Sequence, residues 1–163
     1  MNIKKPMTDA LNIQIKNEFA SGYLYLSMAA YFEGQNLAGF AKWMRLQYEE
    51  EFGHGMKMFD HVLARGGKIT LLPLEKPKGE WSSAIEVFEQ IVAHEQAVTK
   101  MINDLYELAM EEKEFATKEF LHWFLAEQVE EEEHSSEILG HLKMASKNGL
   151  LMLDHRLGKR GNE

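Results

Sequence analysis

The feature that most constrains the fold is a helical spacing of apolar residues over four long stretches without proline. These stretches are residues 7–33, 39–65, 82–111 and 116–146. In each of them, apolar side chains recur every three or four residues. Pro6 precedes the first stretch, whereas Pro73 and Pro77 lie together between the second and the third. Because proline disrupts a helix from within, this distribution predicts four long helices.

The connections predict how these helices are arranged. The turn at 34–39 and the polar break at 111–114 are short, so each makes its two flanking helices antiparallel. The segment 68–81 has no helical pattern and is long enough to let the second and third helices run parallel. Ser82 or Ser83 is expected to cap the third helix.

The C-terminal part predicts one further element. Asn148 and Gly149 are expected to end the fourth helix, and a short fifth helix is expected over about 149–158. The sequence therefore predicts an all-α fold, with a four-helix bundle over about 7–146 and one long crossover between helices 2 and 3. We expect the whole chain, 1–163, to form a single domain.

Composition excludes several classes of function. Acids outnumber bases by 26 to 18, a net charge of −8 that argues against a nucleic-acid partner and is compatible with cation binding. The absence of cysteine excludes disulfides, thiolate zinc sites and iron–sulfur clusters. No apolar run is long enough for a membrane span, and the first residues lack the apolar centre of a signal peptide. We therefore expect a cytoplasmic protein that does not contact a membrane.

Each of the four apolar stripes contains a glutamate near its midpoint. These residues are Glu18, Glu51, Glu95 and Glu131. Because the centres of bundle helices lie at one level whichever way the helices run, the four carboxylates are expected to converge. No Lys or Arg lies on the stripes near that level, and a buried unpaired charge costs several kcal/mol. Either some carboxyls hold protons, or multivalent cations lie among them.

A histidine favours the second explanation. His54 follows Glu51 by three residues, on the same helix face. Carboxylates with an imidazole suit iron or manganese, and the absence of thiolate argues against softer metals. His134 repeats this spacing after Glu131, but Gln128 lies closer to the centre of its stripe. We therefore favour Gln128 and Glu131 as the inward pair, with His134 on the flank.

These residues resemble the ferritin-like di-iron carboxylate family, specifically the non-haem ferritins of bacteria and archaea. The matching segments are NEFASGYLY (17–25), EEFGH (50–54), HEQ (94–96) and WFLAEQVEE (123–131). The likeness extends over nearly the whole chain. It implies an iron-storage protein with ferroxidase activity, which oxidises Fe(II) to Fe(III) with O2 or peroxide. The ferric product would be stored as mineral inside a homo-oligomeric shell of twenty-four subunits.

The resemblance also implies roles for individual residues. The ligands of the first iron are Glu18, Glu51 and His54. The ligands of the second are Glu95 and Glu131, with Gln128 alongside. Glu51 bridges the two ions, and Tyr25 matches the family's tyrosine near the centre. A third iron site on the cavity side maps to Glu50, Glu127, Glu130 and Glu131. These acids fit a solvated acidic face equally well.

Some positions depart from other members of the family. Bacterioferritins have a haem-binding methionine directly after the bridging glutamate, and Phe52 stands there, so no haem is expected. Animal heavy chains carry cavity acids where this chain has Gly53 and Met56. They also carry acids near the three-fold pore, where this chain has Lys118 and Leu121. Neither acidic cavity sites nor an acidic funnel is therefore expected at these positions.

Apolar side chains away from the inward stripes bear on assembly. They are Tyr23, Leu24, Met28, Tyr31 and Trp43. A lone bundle would expose them, and exposed apolar patches mark interfaces unless the crossover covers them. This supports a homo-oligomer. The alternative function is a di-iron oxidase or peroxidase without storage, similar to rubrerythrins, although their cysteine-ligated iron module is excluded here.

Overall fold

The computed structural model describes residues 2–161, which form helices and connecting segments without any strand. The helices are α1 (Lys5–Gly34), α2 (Ala38–Ala64), α3 (Ala84–Glu111), α4 (Phe115–Met144) and α5 (Lys147–Leu157). The all-α four-helix bundle with a short fifth helix is confirmed. Among residues 2–161, no helix combines the length and apolar character that crossing a bilayer requires.

Local chemistry explains where α3 begins. Ser83 is the N-cap, and its hydroxyl accepts a hydrogen bond from the backbone N–H of Glu86 at 3.2 Å. The Glu86 carboxylate in turn accepts from the backbone N–H of Ser82 at 2.7 Å. This reciprocal arrangement satisfies N–H groups that the helix itself leaves free. Of the two predicted caps, Ser83 holds the position.

The boundary between α4 and α5 differs from the prediction. The fourth helix ends at Met144, before Asn148 and Gly149. Ser146 is the N-cap of α5, and its hydroxyl accepts from the Gly149 N–H at 3.3 Å. Asn148 and Gly149 therefore lie in the first turn of α5 instead of ending α4. A serine cap outweighs the low helix propensity of these two residues.

The long crossover is fastened to α1 along its course. The Asn12 amide donates to the Lys68 carbonyl oxygen at 2.9 Å, and its oxygen accepts from the Thr70 N–H at 2.9 Å. Further along, the Ser27 hydroxyl donates to the Lys78 carbonyl oxygen at 2.7 Å. These contacts hold the segment against the bundle surface. The principal helix pairs are α1 with α2 and α3 with α4.

The interior consists of two apolar clusters separated by a polar layer. The cluster near the α1–α2 turn includes Phe32, Phe40, Phe88, Ile91 and Ile138. The cluster at the opposite end includes Met7, Leu11, Met58, Ile102 and Leu121. The layer between them contains the four predicted glutamates, all buried. The bundle thus surrounds a carboxylate-rich centre with apolar side chains above and below.

The predicted set of exposed apolar residues is partly wrong. Met28 is fully buried and Trp43 is 5% exposed, both within the first apolar cluster. The Tyr31 ring contacts the Trp81 ring of the crossover at 5.4 Å between centroids. Tyr23 is exposed, as expected. A helix in this bundle buries a face wider than one narrow stripe, because the crossover and α5 cover additional surface.

Candidate metal centre

The four mid-helix glutamates form one buried polar layer. Glu18 and Glu95 are each 1% exposed, Glu51 is 2% exposed and Glu131 is 6% exposed. They lie close enough for their charges to act on one another: after burial, the charges of Glu18 and Glu95 contribute most to the raised pKa of Glu51. Among residues 2–161, none of these carboxylates lies within ion-pair distance of a lysine or arginine. The layer is therefore rich in negative oxygen and poor in neutralising charge.

One half of the layer brings together Glu18, Glu51 and His54. Each offers one ligand atom, and these atoms all lie within 4.8 Å of one another. The His54 Nδ1 atom lies 3.6 Å from the Glu51 Oε2 atom and 4.0 Å from the Glu18 Oε2 atom. On its other oxygen, Glu18 accepts a hydrogen bond from the Gln14 amide at 2.7 Å. We call this trio the α1–α2 half.

The other half consists of Glu95, Gln128 and Glu131. The Tyr25 hydroxyl donates to the Glu95 carboxylate. The Gln128 amide lies 3.4 Å from the Glu95 Oε2 atom, and the Gln47 amide donates to the Glu131 Oε2 atom at 3.0 Å. We call Glu95, Gln128 and Glu131 the α3–α4 half. Protein hydrogen bonds already satisfy its two carboxylates.

Gln128, and not His134, points into the layer. Gln128 is 5% exposed and also bonds the backbone oxygen of Glu95 at 3.3 Å, whereas His134 is exposed. The reason is helical rotation: Gln128 and Glu131 share the face that continues through Ser135 and Ile138, both buried. His134 falls outside that face.

Burial controls the protonation of these groups. Loss of hydration raises the pKa of Glu18 to about 7 and that of Glu131 to about 8, and it raises the pKa of Glu51 well above the usual range. Burial, with a contribution from the charge of Lys57, lowers the pKa of His54 to about 4. His54 is therefore a neutral imidazole near neutral pH, with a ring nitrogen able to coordinate a metal.

The donor set fits a hard or intermediate divalent metal. The Glu18 Oε2 atom is buried and has no hydrogen-bond partner among the described residues, an arrangement that a bound cation would complete. Carboxylate oxygens with a single imidazole nitrogen suit iron or manganese. Tyr25, the four mid-helix glutamates, His54 and Gln128 thus lie buried in one layer, whereas Glu50 and Glu130 are exposed. The α1–α2 half has the tighter cluster of ligand atoms.

Comparison with known proteins identifies the family. A family model described as a ferritin-like domain matches residues 8–145. The chain belongs to the ferritin family. A bacterial non-haem ferritin of Bacteroides fragilis is 39% identical over 158 residues, which cover 97% of this chain and 99% of that protein. A bacterial non-haem ferritin of Staphylococcus saprophyticus is 42% identical over 130 residues, which cover 80% of this chain and 78% of that protein.

Solved structures give the same result. An open-pore ferritin from the hyperthermophilic archaeon Archaeoglobus fulgidus superposes with a TM-score of 0.96 at 49% identity. The match covers 98% of this chain and 99% of that one. A structure described as a humanized archaeal ferritin matches with a TM-score of 0.96 at 50% identity. The family assignment therefore rests on sequence and fold together.

In this ferritin-family chain, the acids expected at a third site do not form as tight a group as the ligand atoms of the α1–α2 half. Within residues 2–161, the trio of the α1–α2 half is the group of acids and histidines that meets the metal-site distance. Glu50 and Glu130 are exposed, and Glu50 is paired with Arg160. Burial, followed by the charges of Glu130 and Glu50, raises the pKa of Glu127. These acids therefore act on one another electrostatically without converging on one point.

The structure also describes Lys118 and Leu121, two positions at which acids of the animal heavy chains are absent from this sequence. Leu121 is fully buried in the apolar cluster of the bundle, so its side chain does not face outward from the subunit. The Lys118 ammonium lies 5.7 Å from the centroid of the Tyr106 ring. The Phe52 ring, directly after Glu51, stacks on Phe19 with centroids 4.9 Å apart.

Sequence analysis missed the amides that orient the carboxylates. Gln14 and Gln47 are 3% and 1% exposed, and each donates to a glutamate of the layer. A signal was present in the sequence, since Gln14 precedes Glu18 by four residues and Gln47 precedes Glu51 by four. Gln47, however, bonds Glu131 of another helix, and the spacing on α2 does not reveal that partner. No pattern in the sequence predicted that Arg160 would contact Glu50.

Proposed function

We propose that this ferritin-family chain oxidises Fe(II) at the buried centre and stores the ferric product in an oligomeric shell. The observation that carries the proposal is the layer of four buried glutamates, which has no lysine or arginine in ion-pair contact among residues 2–161. Iron is the substrate and the stored cargo. The 39% sequence identity to the bacterial non-haem ferritin of Bacteroides fragilis supports this assignment.

The α1–α2 half supports a first iron-binding position. Glu18 and Glu51 supply carboxylate oxygens, and His54 supplies its Nδ1 atom. Because the pKa of His54 is lowered to about 4, the imidazole needs no deprotonation before it coordinates. The raised pKa of Glu18, about 7, means that metal binding releases protons from this half.

The α3–α4 half supports a second position. Glu95 and Glu131 would hold this ion, with Gln128 alongside and Glu51 bridging to the first. In two-metal sites the ions lie about 3.5–4 Å apart, a separation that one carboxylate spans. Holding two ions together lets two electrons pass to O2 or H2O2 in one encounter. Carboxylate ligands stabilise Fe(III) relative to Fe(II), so this ligand set favours oxidation.

Tyr25 has a positioning role in this proposal. Its hydroxyl donates to Glu95, and burial, followed by the charges of Glu95 and Glu51, raises the pKa of Tyr25 well above its usual value. The phenol therefore stays protonated and keeps Glu95 oriented toward the second position. The Tyr25→Phe variant is expected to bind the second Fe(II) less tightly while the first binds as before. Anaerobic titration calorimetry measures both constants.

A third iron position on the cavity side is part of the proposal. It would use Glu50, Glu127 and Glu130 together with Glu131, the ligand shared with the second position. After burial, the charges of Glu130 and Glu50 contribute to the raised pKa of Glu127. This interaction between the acids supports a weak cation site. Because Glu50 and Glu130 are exposed, we expect lower affinity here than at the buried pair.

Assembly into a closed homo-oligomer, of twenty-four subunits in our proposal, completes the storage function. Large apolar side chains that are more than half exposed include Phe115, Leu71, Val129, Leu151, Met152 and Met144. Apolar exposure of this kind is typical of subunit interfaces. Light scattering of the purified protein measures the mass, and a mass of one or two chains would remove the storage shell from the proposal.

Iron loading tests storage itself. Fe(II) is added aerobically in steps to the metal-free assembly, and the iron that remains after gel filtration is measured for each shell. Retention far above the three binding positions of each chain supports storage. Retention of a few atoms per chain, with continued Fe(II) oxidation, favours the rubrerythrin-like oxidase or peroxidase. Failure to oxidise Fe(II) at all would overturn the ferroxidase part of the proposal.

A further inference from the structure

The last turn of α5 and the residues that follow it are fastened to the start of α2. The Asp154 carboxylate accepts from the Phe40 N–H at 2.9 Å, and the Lys42 ammonium donates to the Gly158 carbonyl oxygen at 3.0 Å. At Gly39, a Cβ atom would lie 1.8 Å from the Asp154 carbonyl oxygen, so this close approach requires glycine. The C-terminal segment therefore has a defined position on α2.

This placement brings Arg160 onto a proposed ligand of the third position. Its Nη2 atom donates to the Glu50 Oε2 atom at 2.6 Å. The guanidinium also lies over the Trp43 ring, 4.8 Å from the centroid. The side chains of Arg160 and Glu50 are 28% and 44% exposed, so the pair is partly shielded from solvent. The Arg160 Nη1 atom is buried without a hydrogen-bond partner among the described residues.

The same guanidinium acts on the buried layer. The charge of Arg160 opposes the effects of burial and of the Glu95 and Glu50 charges on the pKa of Glu131. Arg160 thus pairs directly with an exposed third-site acid and acts electrostatically on the acid shared with the second position. A positive charge of the chain therefore already interacts with two of the acids that would stabilise a third metal ion. The Glu50 oxygen that accepts from Arg160 cannot at the same time coordinate a cation with that lone pair.

We propose that Arg160 is an intrachain cation that competes with metal for Glu50, so that the third position fills only when the guanidinium withdraws. This inference rests on the proposed iron function and names the residue that controls one of its positions. Two features make withdrawal feasible: the ion pair is partly exposed, and one guanidinium nitrogen has no partner to lose. The buried pair of positions does not depend on this exchange.

The first test compares two charge-removing variants by anaerobic calorimetry with Fe(II). Arg160→Ala removes the guanidinium, and Lys159→Ala removes the same charge from the exposed neighbouring residue. We expect Arg160→Ala to raise the affinity for the third ion about three- to tenfold, since a competing ion pair is lost, and Lys159→Ala to leave it within about twofold. Equal effects of both variants would indicate a general charge effect and overturn the proposal.

The second test follows the withdrawal itself. Zn²⁺, which is not oxidised, is titrated while tryptophan fluorescence is recorded. The wild-type chain is expected to show a change at the third equivalent, when the guanidinium leaves the Trp43 ring. Arg160→Ala and Trp43→Phe should both lack that change. A third ion that binds the wild type without altering the Trp43 signal would overturn the proposal.

A double variant separates this inference from the proposed function. In a Glu50→Gln background, replacing Arg160 should no longer alter binding of the third ion, because the shared carboxylate is gone. If the wild type binds two Fe(II) ions tightly but Arg160→Ala leaves the third unchanged, the competition is wrong and the two-iron centre stands. If no Fe(II) binds with saturation to any variant, the proposed function itself fails.

Discussion

The two halves of the buried layer contain similar residues but differ in how the chain satisfies them. In the α1–α2 half, the ligand atoms of Glu18, Glu51 and His54 lie within 4.8 Å of one another, and the Glu18 Oε2 atom has no partner among the described residues. In the α3–α4 half, Glu95 accepts from Tyr25 and Glu131 accepts from Gln47. Although Gln14 donates to the other oxygen of Glu18, the α1–α2 half leaves one buried carboxylate oxygen without a donor, whereas each carboxylate of the α3–α4 half accepts from a side chain.

This difference indicates an order of binding. A cation that enters the α1–α2 half interacts with a carboxylate oxygen that has no hydrogen-bond partner among the described residues, so no protein hydrogen bond to that oxygen is lost when the cation binds. A cation in the α3–α4 half binds carboxylates to which Tyr25, Gln47 and Gln128 already donate, so it adds less to what the protein itself supplies. We therefore expect two Fe(II) ions to bind with unequal affinity, the first in the α1–α2 half. The predictions below test this asymmetry.

The largest effect is expected at the residue that joins the halves. Glu51→Gln keeps the side-chain shape but removes the bridging negative charge, and we expect Fe(II) oxidation to slow by about 100-fold or more. Stopped-flow absorbance measures the rate. Glu49→Gln, at an exposed position two residues earlier, is the matched control. Oxidation at the wild-type rate in Glu51→Gln would contradict a shared centre.

The metal-free protein is expected to lose stability as pH rises. The pKa is near 4.5 for an ordinary glutamate and about 7 for folded Glu18, so the folded state binds more protons between these values. The resulting stability is complete below pH 4.5 and is lost as pH rises through the folded pKa. For Glu18 it is on the order of 3 kcal/mol. Glu131, whose folded pKa is about 8, contributes with the same sign.

Urea denaturation at fixed chain concentration checks this prediction. The pKa of His54 falls from 6.5 to about 4 on folding, which gives a slope of opposite sign below pH 6.5. The decisive range is therefore pH 6.5 to 8, where the carboxyls dominate. Bound Zn²⁺ should flatten the decline because the metal takes the place of the protons. A metal-free protein that gains stability over this range would contradict the raised pKa values.

A smaller effect should distinguish the supporting amides. Gln14→Ala removes the donor to Glu18, and we expect about tenfold weaker binding of the first Fe(II). Gln47→Ala removes the donor to Glu131 and should weaken only the second ion, by less, because that amide also competes with the metal. Anaerobic calorimetry resolves the two steps, with exposed Gln96→Ala as the control. If Gln14→Ala weakened the second ion and Gln47→Ala weakened the first, the proposed order of binding would be reversed.

The smallest expected effect lies outside both halves. Ser83→Ala removes the N-cap of α3 and should lower stability by about 1 kcal/mol without changing iron binding. The hydrogen bond from Lys78, followed by those from Ser82, lowers the pKa of Glu86 to about 2. The stability that Glu86 contributes is therefore lost only as pH falls from 4.5 toward 2. Thermal denaturation checks the first point. Altered iron affinity in Ser83→Ala would link the cap to the centre.

The sequence predicted most of the fold because its apolar periodicity is long and proline interrupts it only where the crossover lies. It predicted the buried glutamates for a related reason, since Glu18 and Glu51 stand on stripes where apolar residues are otherwise expected. The start of α5 was less predictable. Ser146 caps that helix, and Asn148 and Gly149, residues typical of helix ends, lie inside its first turn.

By itself, then, the sequence determined which side chains reach the centre, because helical rotation and position along the helix are local properties. Only the tertiary structure decided how those side chains are satisfied. Gln47 donates to Glu131 on another helix, and Arg160 reaches Glu50 across more than a hundred residues of chain. Such pairings depend on how helices pack and where the C-terminal segment is anchored. No local spacing encodes that geometry.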